Sequence, residues 1–185
     1  MKYTLIILII LITLHFLFID MTGVRYKWYL PTIRFLYPDS YIEANKVVKQ
    51  IETRTQEDID FFTLTDNSVI YAFRDIVPNI ELEYLRKIAN SQDKKIILLK
   101  NFINRPRPYQ MSSRILPLRS TTAHTPAFPA GHAAQAYILA NYLQKKYPHK
   151  KKIFEKIADK CNDCRIKAGL HYPSDGIYSK MIFYG

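Results

Sequence analysis

The feature that most constrains this chain is a set of three short segments, between residues 100 and 175, that carry basic residues and histidines at fixed spacing. They read Lys-Asn-Phe-Ile-Asn-Arg-Pro-Arg-Pro (100–108), Phe-Pro-Ala-Gly-His (128–132) and Arg-Ile-Lys-Ala-Gly-Leu-His-Tyr-Pro-Ser-Asp (165–175). Brought together, they supply three cations, two imidazoles, one carboxylate and a glycine at a predicted helix start. Such a set is able to hold a phosphate group and transfer it to a histidine.

The order and spacing of these segments resemble the superfamily of type 2 phosphatidic acid phosphatases, bacterial non-specific acid phosphatases and vanadium haloperoxidases. Its pattern is Lys-x6-Arg-Pro, then Pro-Ser-Gly-His, then Ser-Arg-x5-His-x3-Asp. The chain matches this pattern at Lys100, Arg107, Pro108, Pro129, Gly131, His132, Arg165, His171 and Asp175. It departs from the pattern at Ala130 and Cys164, where the superfamily has serine. The matching segments span under half of the chain, and their joint occurrence in this order makes the resemblance specific.

The basic residues suit the charge of a phosphate ester. Arg107 and Arg165 can each direct a bidentate fork at its non-bridging oxygens, and Lys100 adds a point charge. Gly131 opens a predicted helix, whose first backbone amides and dipole attract an anion. The resemblance implies the same phosphate-binding role for the three cations. In the superfamily the serine before the glycine also donates a hydroxyl group to the phosphate, and Ala130 lacks it.

His132 and His171 are the predicted catalytic histidines. Asp175 lies four positions after His171, so in a helix that begins near Tyr172 its carboxylate could accept the Nδ1 proton and leave Nε2 free to attack phosphorus. The resemblance implies that His171 is the nucleophile, through a phosphohistidine intermediate. It implies that His132 protonates the leaving oxygen and then activates water. His124, in the loop before the second segment, has no place in the pattern.

Three other arginines near these segments, Arg105, Arg114 and Arg119, are interpreted as solvated surface charges, as most basic residues are in a chain with 27 of them. No grouping of Asp, Glu and His in the sequence suggests a metal site. The resemblance implies hydrolysis of phosphate without a metal ion, and we therefore predict a metal-independent enzyme without a cofactor. Vanadate would be a cofactor only if the chain were a haloperoxidase. Cys161 and Cys164 are interpreted as small residues on a helix turn, with a local disulfide as the alternative.

The predicted fold class is mainly α, a helical bundle with one N-terminal membrane-anchor helix. Helical patterns run from Ser40 to about Arg54, Ile80 to Ala89, Asp93 to about Asn104, Gly131 to Lys146 and Lys150 to about Lys167. Glu57 to Ile76 indicates a helical hairpin or a broken helix. Residues 105–129 hold five prolines and predict a long loop, which at this length is usually functional or disordered. Pro173 is placed for the first turn of a final short helix.

Three regions are predicted: a transmembrane anchor or signal segment (1–21), an aromatic linker (22–38) and a phosphatase-like helical domain (39–185). Residues 3–19 are almost wholly apolar. The length of this segment is near the lower limit for crossing a bilayer. We expect an uncleaved single-pass anchor, with a cleaved signal peptide or a buried core helix as alternatives. More basic residues follow the apolar segment (Arg25, Lys27 and Arg34) than precede it (Lys2). This weakly favours a cytoplasmic C-terminal domain, while the side of the membrane stays open.

The length of 185 residues fits one folded domain, and the formal charge of +11 favours an anionic partner. We therefore predict a membrane-tethered phosphatase that hydrolyses a lipid phosphate such as phosphatidic acid, or a small soluble ester. No nucleic-acid-binding motif is present, so nucleic acid is not a predicted partner; the oligomeric state is open. The alternatives are a phosphate- or lipid-binding pseudoenzyme of the same fold, motivated by Ala130, and a vanadate-dependent haloperoxidase, which the small size disfavours.

Overall fold

A computed structural model describes residues 4–10, 34–77 and 80–184, and within these ranges the chain forms helices and no strand. The α-helices from residue 34 onward are α1 (Ser40–Glu52), α2 (Gln56–Asp66), α3 (Ile70–Phe73), α4 (Leu82–Ala89), α5 (Asp93–Ile103), α6 (Pro108–Met111), α7 (Gly131–Lys146), α8 (Lys151–Lys167) and α9 (Pro173–Phe183). Short 3₁₀ turns occur at Arg34–Leu36, Arg74–Ile76, Asn90–Gln92 and Pro148–Lys150. The prediction of a mainly α fold is confirmed.

Helix starts follow local signals in the sequence. Asp39 caps α1 by accepting hydrogen bonds from the amides of Tyr41 and Ile42. Thr55 and Asp58 form a reciprocal capping box at the start of α2. Pro173 occupies the first turn of α9 as predicted. This last helix has 11 residues, so it is longer than the short helix expected there.

The central helix is α7, and its alanines explain how its neighbours reach it. Ala133, Ala134, Ala136 and Ala140 are completely buried, and their small side chains let other helices approach from several directions. The most extensive contacts of α7 are with α8 and α9. Larger buried side chains from the surrounding helices fill the core around it: Ile70, Phe73, Leu85, Ile96, Phe154 and Phe183. Burial of each stabilises the fold by roughly 1.5–3 kcal/mol, and together they hold α7 in the core.

A tight turn after α8 reverses the chain. Gly169, with a φ of 75°, adopts the left-handed conformation that glycine reaches without a steric penalty. The amide of Leu170 donates to the carbonyl of Arg165 (3.1 Å), and that of Gly169 to the carbonyl of Ile166 (2.8 Å). This pair of bonds is a Schellman motif. Because of it, His171 lies close to the end of α8 that carries Arg165.

Residues 105–129 are largely irregular, as predicted, and include the single-turn helix α6. The segment is tied to the helices by backbone hydrogen bonds, from the Leu118 amide to the Ala168 carbonyl and from the Ala127 amide to the Arg105 carbonyl, both 2.9 Å. On the neighbouring α8, Cys161 and Cys164 are free and buried.

The N-terminal predictions fall mostly outside the described residues. Residues 4–10 are helical, whereas 11–21 of the predicted anchor and 22–33 of the predicted linker lie outside the described ranges. Within those ranges, no helix combines the length and apolar character needed to cross a membrane.

Candidate active site

A cavity of about 480 Å³ brings the three sequence segments together. Six of the seven predicted site residues line it: Lys100, Arg107, Gly131, His132, Arg165 and His171. The seventh, Asp175, is completely buried and contacts His171. The volume falls within the usual range for small-molecule sites. Predicted residues up to 71 positions apart in the sequence, Lys100 and His171, therefore converge on one space large enough for a substrate.

Lys100 and Arg107 are buried cations whose head groups are held by backbone carbonyls. Lys100 Nζ donates to the carbonyl of Pro126 at 2.7 Å. Arg107 Nε donates to the carbonyl of Thr125, and Arg107 Nη1 to that of Leu170, both at 2.8 Å. Carbonyls orient these groups without neutralising them, so positive charge is retained for an anion that enters the cavity.

Arg165 is oriented by an acidic residue that the sequence interpretation missed. Its Nη1 lies 2.6 Å from Asp66 Oδ1 at the end of α2. Although burial opposes ionisation, hydrogen bonds from Ser120 and Arg165 lower the pKa of Asp66 to about 2, so this carboxylate is charged at neutral pH. Arg165 Nε is buried and has no hydrogen-bond partner among the described residues. A buried N–H donor without an acceptor is costly, and a bound anion would supply the acceptor.

The contacts of His171 define which ring nitrogen carries its proton. Nε2 lies 3.3 Å from Arg107 Nη1, and because a guanidinium only donates, Nε2 must accept and carry a lone pair. Nδ1 therefore bears the proton and donates to Asp175 Oδ2, also at 3.3 Å. Asp175 Oδ2 also accepts a hydrogen bond from the backbone amide of Tyr172 at 2.9 Å. The tautomer matches the one predicted for a nucleophilic histidine.

The interpretation of Arg105 as a surface charge is wrong. Its side chain is completely buried and lies between the rings of Tyr37 and Tyr172, with its central carbon 4.2 Å and 3.8 Å from the two ring centres. It pairs with Asp175 at 2.6 Å and with Glu43 at 2.8 Å. Two buried carboxylates and two aromatic faces compensate the loss of water around the guanidinium.

This arrangement forms a chain of buried charges behind His171. Glu43 on α1 accepts from Arg105 and from the hydroxyl group of Ser174. Arg105 Nη1 also donates to Ser174 Oγ at 2.8 Å. Burial tends to lower the pKa of Arg105, but the charge of Asp175 and the contact with Glu43 raise it overall. The chain Glu43–Arg105–Asp175 fixes the carboxylate that holds His171.

His132, the second residue of α7, has a different kind of partner. Its Nε2 lies 2.8 Å from the backbone carbonyl of Asp66, which can only accept, so Nε2 carries a proton. No hydrogen bond to Nδ1 occurs within the described part of the chain, which leaves Nδ1 as the nitrogen able to exchange a proton with a ligand. Burial, followed by repulsion from Arg165, lowers the pKa of His132 to about 3. The imidazole is therefore neutral in the empty cavity.

Burial and neighbouring positive charge also lower the pKa of the other basic groups in the cavity. Burial lowers the pKa of Lys100 well below its ordinary value, and Arg107 adds to the effect. Burial lowers the pKa of Arg107 to about 10. Burial also lowers the pKa of His171, and the charges of Arg107 and Lys100 reinforce this. An entering anion would relieve the repulsion, so the cavity is electrostatically prepared for negative charge.

The helix α7 begins at Gly131, as predicted. The first intrahelical bond is donated by the Ala134 amide to the Ala130 carbonyl, at 2.9 Å, so the amides of Gly131 and His132 precede it and have no acceptor within the helix. A Cβ added to Gly131 would lie 3.6 Å from Lys100 Cε, an ordinary contact. Ala130 is completely buried, belongs to the main apolar core and is not among the residues that line the cavity.

The remaining predictions around the site have mixed outcomes. Arg114 and Arg119 are exposed, which confirms their interpretation as surface residues. His124 is exposed and lines the cavity although it has no place in the sequence pattern. Among the described residues, no group of three or more His, Cys, Asp or Glu side chains is arranged to hold a metal ion.

The three residues missed at this site differ in the signals they leave in the sequence. Asp66 ends α2, where an acidic side chain opposes the helix dipole, and that unfavourable position is a signal. Arg105 stands in the same Arg-Pro-Arg-Pro run as Arg107, but nothing local separates a buried arginine from an exposed one. Glu43 follows an ordinary helix start and leaves no signal.

No protein-family model matches this chain, and no curated protein matches it. The geometry of the cavity is therefore the basis for the function proposed below.

Proposed function

We propose that this protein hydrolyses phosphate monoesters through a phosphohistidine intermediate on His171, using its own side chains and no metal ion or cofactor. The observation that carries the proposal is the state of His171 in the cavity: Nδ1–H is donated to Asp175, and the lone pair of Nε2 lies beside Arg107. A nucleophilic nitrogen next to buried phosphate-binding cations is suited to phosphoryl transfer.

In the first step, Arg107, Arg165 and Lys100 bind the non-bridging oxygens of the phosphate. Arg107 Nη1 thereby transfers its hydrogen bond from His171 Nε2 to a phosphate oxygen, which frees the lone pair of Nε2. This lone pair attacks phosphorus, a P–N bond forms and the P–O bond to the alcohol breaks. His132 gives its Nδ1 proton to the leaving oxygen. As His171 becomes a cation, Asp175 stabilises the charge, and Arg105 holds Asp175 in place.

In the second step, water attacks phosphorus and the P–N bond breaks. His132, now neutral, accepts a proton from the water at Nδ1. Inorganic phosphate leaves, and His171 regains its lone pair. The enzyme returns to its starting protonation state after one turnover, so the cycle balances in protons.

The low pKa of His132 in the empty cavity requires that the substrate itself brings the general acid into its charged form. A phosphate dianion offsets the charge of Arg165 and so raises the pKa of His132 from about 3 toward the range in which it is protonated. Catalysis on this account is favoured at mildly acidic pH, where the proton is available. His171 stays neutral for attack because burial, reinforced by the charges of Arg107 and Lys100, lowers its pKa.

The assay that tests this proposal measures phosphate release from phenyl phosphate in excess chelator, from mildly acidic to neutral pH. We expect turnover in chelator and inhibition by vanadate, which mimics the five-coordinate phosphorus of the transition state. His149→Ala is a matched control, because His149 is exposed and lies outside the cavity. Absence of turnover, or loss of activity in chelator with recovery on addition of magnesium or zinc, would contradict the proposal.

We also propose that residues 1–21 tether the domain to a membrane. The support is the apolar composition of 3–19 and the exposure of about half of each side chain from Leu5 to Ile10. Deletion of Met1 to Met21 should release an active, folded protein from carbonate-washed membranes. Retention of the truncated protein in the membrane fraction would contradict the tether.

A further inference from the structure

The cavity extends well beyond the residues that would hold a phosphate group. We call the phosphate end, lined by Lys100, Arg107, His132, Arg165 and His171, the inner half. The outer half is lined by Arg86, Asn90, Asp93, Lys94, Ile97 and Gln135. A single phosphate fills only part of a cavity of about 480 Å³, so the outer half is available for the alcohol portion of a substrate.

Three helices form a fixed wall in the outer half. Gln135 lies one turn after Gly131 on α7, and its Nε2 donates to Asp93 Oδ1 at 3.0 Å and to Asn90 Oδ1 at 3.1 Å. These bonds join α7 to the start of α5 and to the end of α4. Lys94 precedes Lys100 by six residues on α5, which corresponds to a rise of roughly 9 Å along the helix. The outer half thus lies at a defined distance from the phosphate.

The outer half also carries positive charge that the protein leaves available. Lys94 is exposed and forms no ion pair with any described residue. Arg86 is half-exposed, and its only ion pair there is with Glu83 at 3.5 Å, a carboxylate that is 66% exposed. The one acidic residue in the outer lining, Asp93, is already engaged by Gln135. A pair of cations over a polar wall favours an acidic group.

We propose that the outer half is a second anion subsite, and that the substrate is a water-soluble phosphate monoester whose alcohol portion carries a second acidic group. Arg86 and Lys94 would bind that group, a carboxylate or a second phosphate, while the inner half holds the phosphate that is cleaved. Acyl chains would be poorly matched, because Ile96 and Ile97 are the only large apolar side chains among the described residues that line the cavity. The inference rests on the proposed function, since it assumes that the inner half binds phosphate.

The test uses three phosphonates that are not hydrolysed: benzylphosphonate, 4-carboxybenzylphosphonate and 4-butylbenzylphosphonate. Their dissociation constants are measured by calorimetry at low salt with the full-length protein. We expect the carboxy compound to bind about fivefold more tightly than the parent compound, as two partly exposed ion pairs allow. The advantage should shrink as salt rises, and the butyl compound should show no gain.

Two double variants sharpen the comparison. In Arg86→Gln/Lys94→Gln the dissociation constant of benzylphosphonate divided by that of 4-carboxybenzylphosphonate should fall to about one. Lys46→Gln/Lys87→Gln removes the same formal charge from exposed lysines outside the cavity and should keep the ratio of the parent protein. Because the phosphonates are not hydrolysed, this comparison of affinities does not depend on whether the protein has phosphatase activity.

Equal binding of the parent and carboxy compounds, tighter binding of the butyl compound, or an advantage that survives Arg86→Gln/Lys94→Gln would overturn the subsite. Failure of all three phosphonates to bind would overturn it as well. If they bind as expected but phenyl phosphate is not hydrolysed, the proposed phosphatase activity fails while the anion subsite stands.

Discussion

His171 and His132 line the same cavity but are held by different kinds of partner. Behind His171 lies a chain of buried charges, Glu43–Arg105–Asp175, which reaches α1. Behind His132 lies a single backbone carbonyl, that of Asp66. A carboxylate stabilises a positive imidazole strongly, whereas a carbonyl fixes the ring and contributes little charge. The difference suggests that His171 is built to carry charge during the reaction, and that the charge of His132 is left to the ligand.

The largest expected effect is that of His171→Ala. Removal of the proposed nucleophile should lower kcat for phenyl phosphate by about 10⁴-fold or more, because groups that act as one unit lose most of their effect when a single member is removed. His149→Ala, an exposed histidine outside the cavity, should retain the parent rate. A His171→Ala protein with more than a tenth of the parent rate would place the nucleophile elsewhere.

Arg105→Met tests whether the charged chain behind His171 is a structural requirement. The change leaves Glu43 and Asp175 buried without their cation, and we expect a loss of about 3–5 kcal/mol in the free energy of unfolding. Arg114→Met, at an exposed site, should change stability by less than about 0.5 kcal/mol. Denaturant unfolding of both proteins measures the difference. Equal stabilities would show that Arg105 is dispensable for the fold around His171.

His132→Ala should have an effect that depends on the leaving group. Alkyl phosphates need a proton on the departing oxygen, and for them kcat should fall by about 10²-fold or more. For 4-nitrophenyl phosphate, whose leaving group departs as an anion, formation of the phosphoenzyme should slow much less. Pre-steady-state release of the alcohol from both substrates gives the comparison. An equal loss for both would remove the assignment of His132 as the general acid.

The smallest expected effect is that of Ala130→Ser, which restores the serine of the superfamily pattern. The Ala130 side chain packs in the apolar core and does not line the cavity, so a hydroxyl group there would not reach a bound phosphate. We expect kcat/KM for an aryl phosphate to stay equal or to fall by less than about threefold. A tenfold gain would show that the hydroxyl completes the phosphate site after all.

The parts of this molecule that could be predicted from sequence are those specified by neighbouring residues. The extent of α7 follows from its apolar periodicity, and the start of α1 follows from the Asp39 cap. The convergence of Lys100, Arg107 and Arg165 on one cavity was predicted from the spacing of the three segments that carry them.

What could not be predicted depends on contacts between residues far apart in the chain. Arg105 meets Glu43 across 62 positions and Asp175 across 70, and burial of an arginine is decided only when such partners and two aromatic rings close around it. The position of the Ala130 side chain is likewise set by how α7 enters the core. Neither feature has a local pattern, so the sequence led to a wrong interpretation of Arg105.

The most direct test of the difference between the two histidines is a rapid-quench experiment with 4-nitrophenyl phosphate that carries a radioactive phosphorus label. The parent protein should show a label that is stable in base, labile in acid and located in the peptide that contains His171. His132→Ala should accumulate more of it, because the attack of water is slowed, and His171→Ala should show none. Label that persists in His171→Ala, or that maps to another residue, would contradict the account.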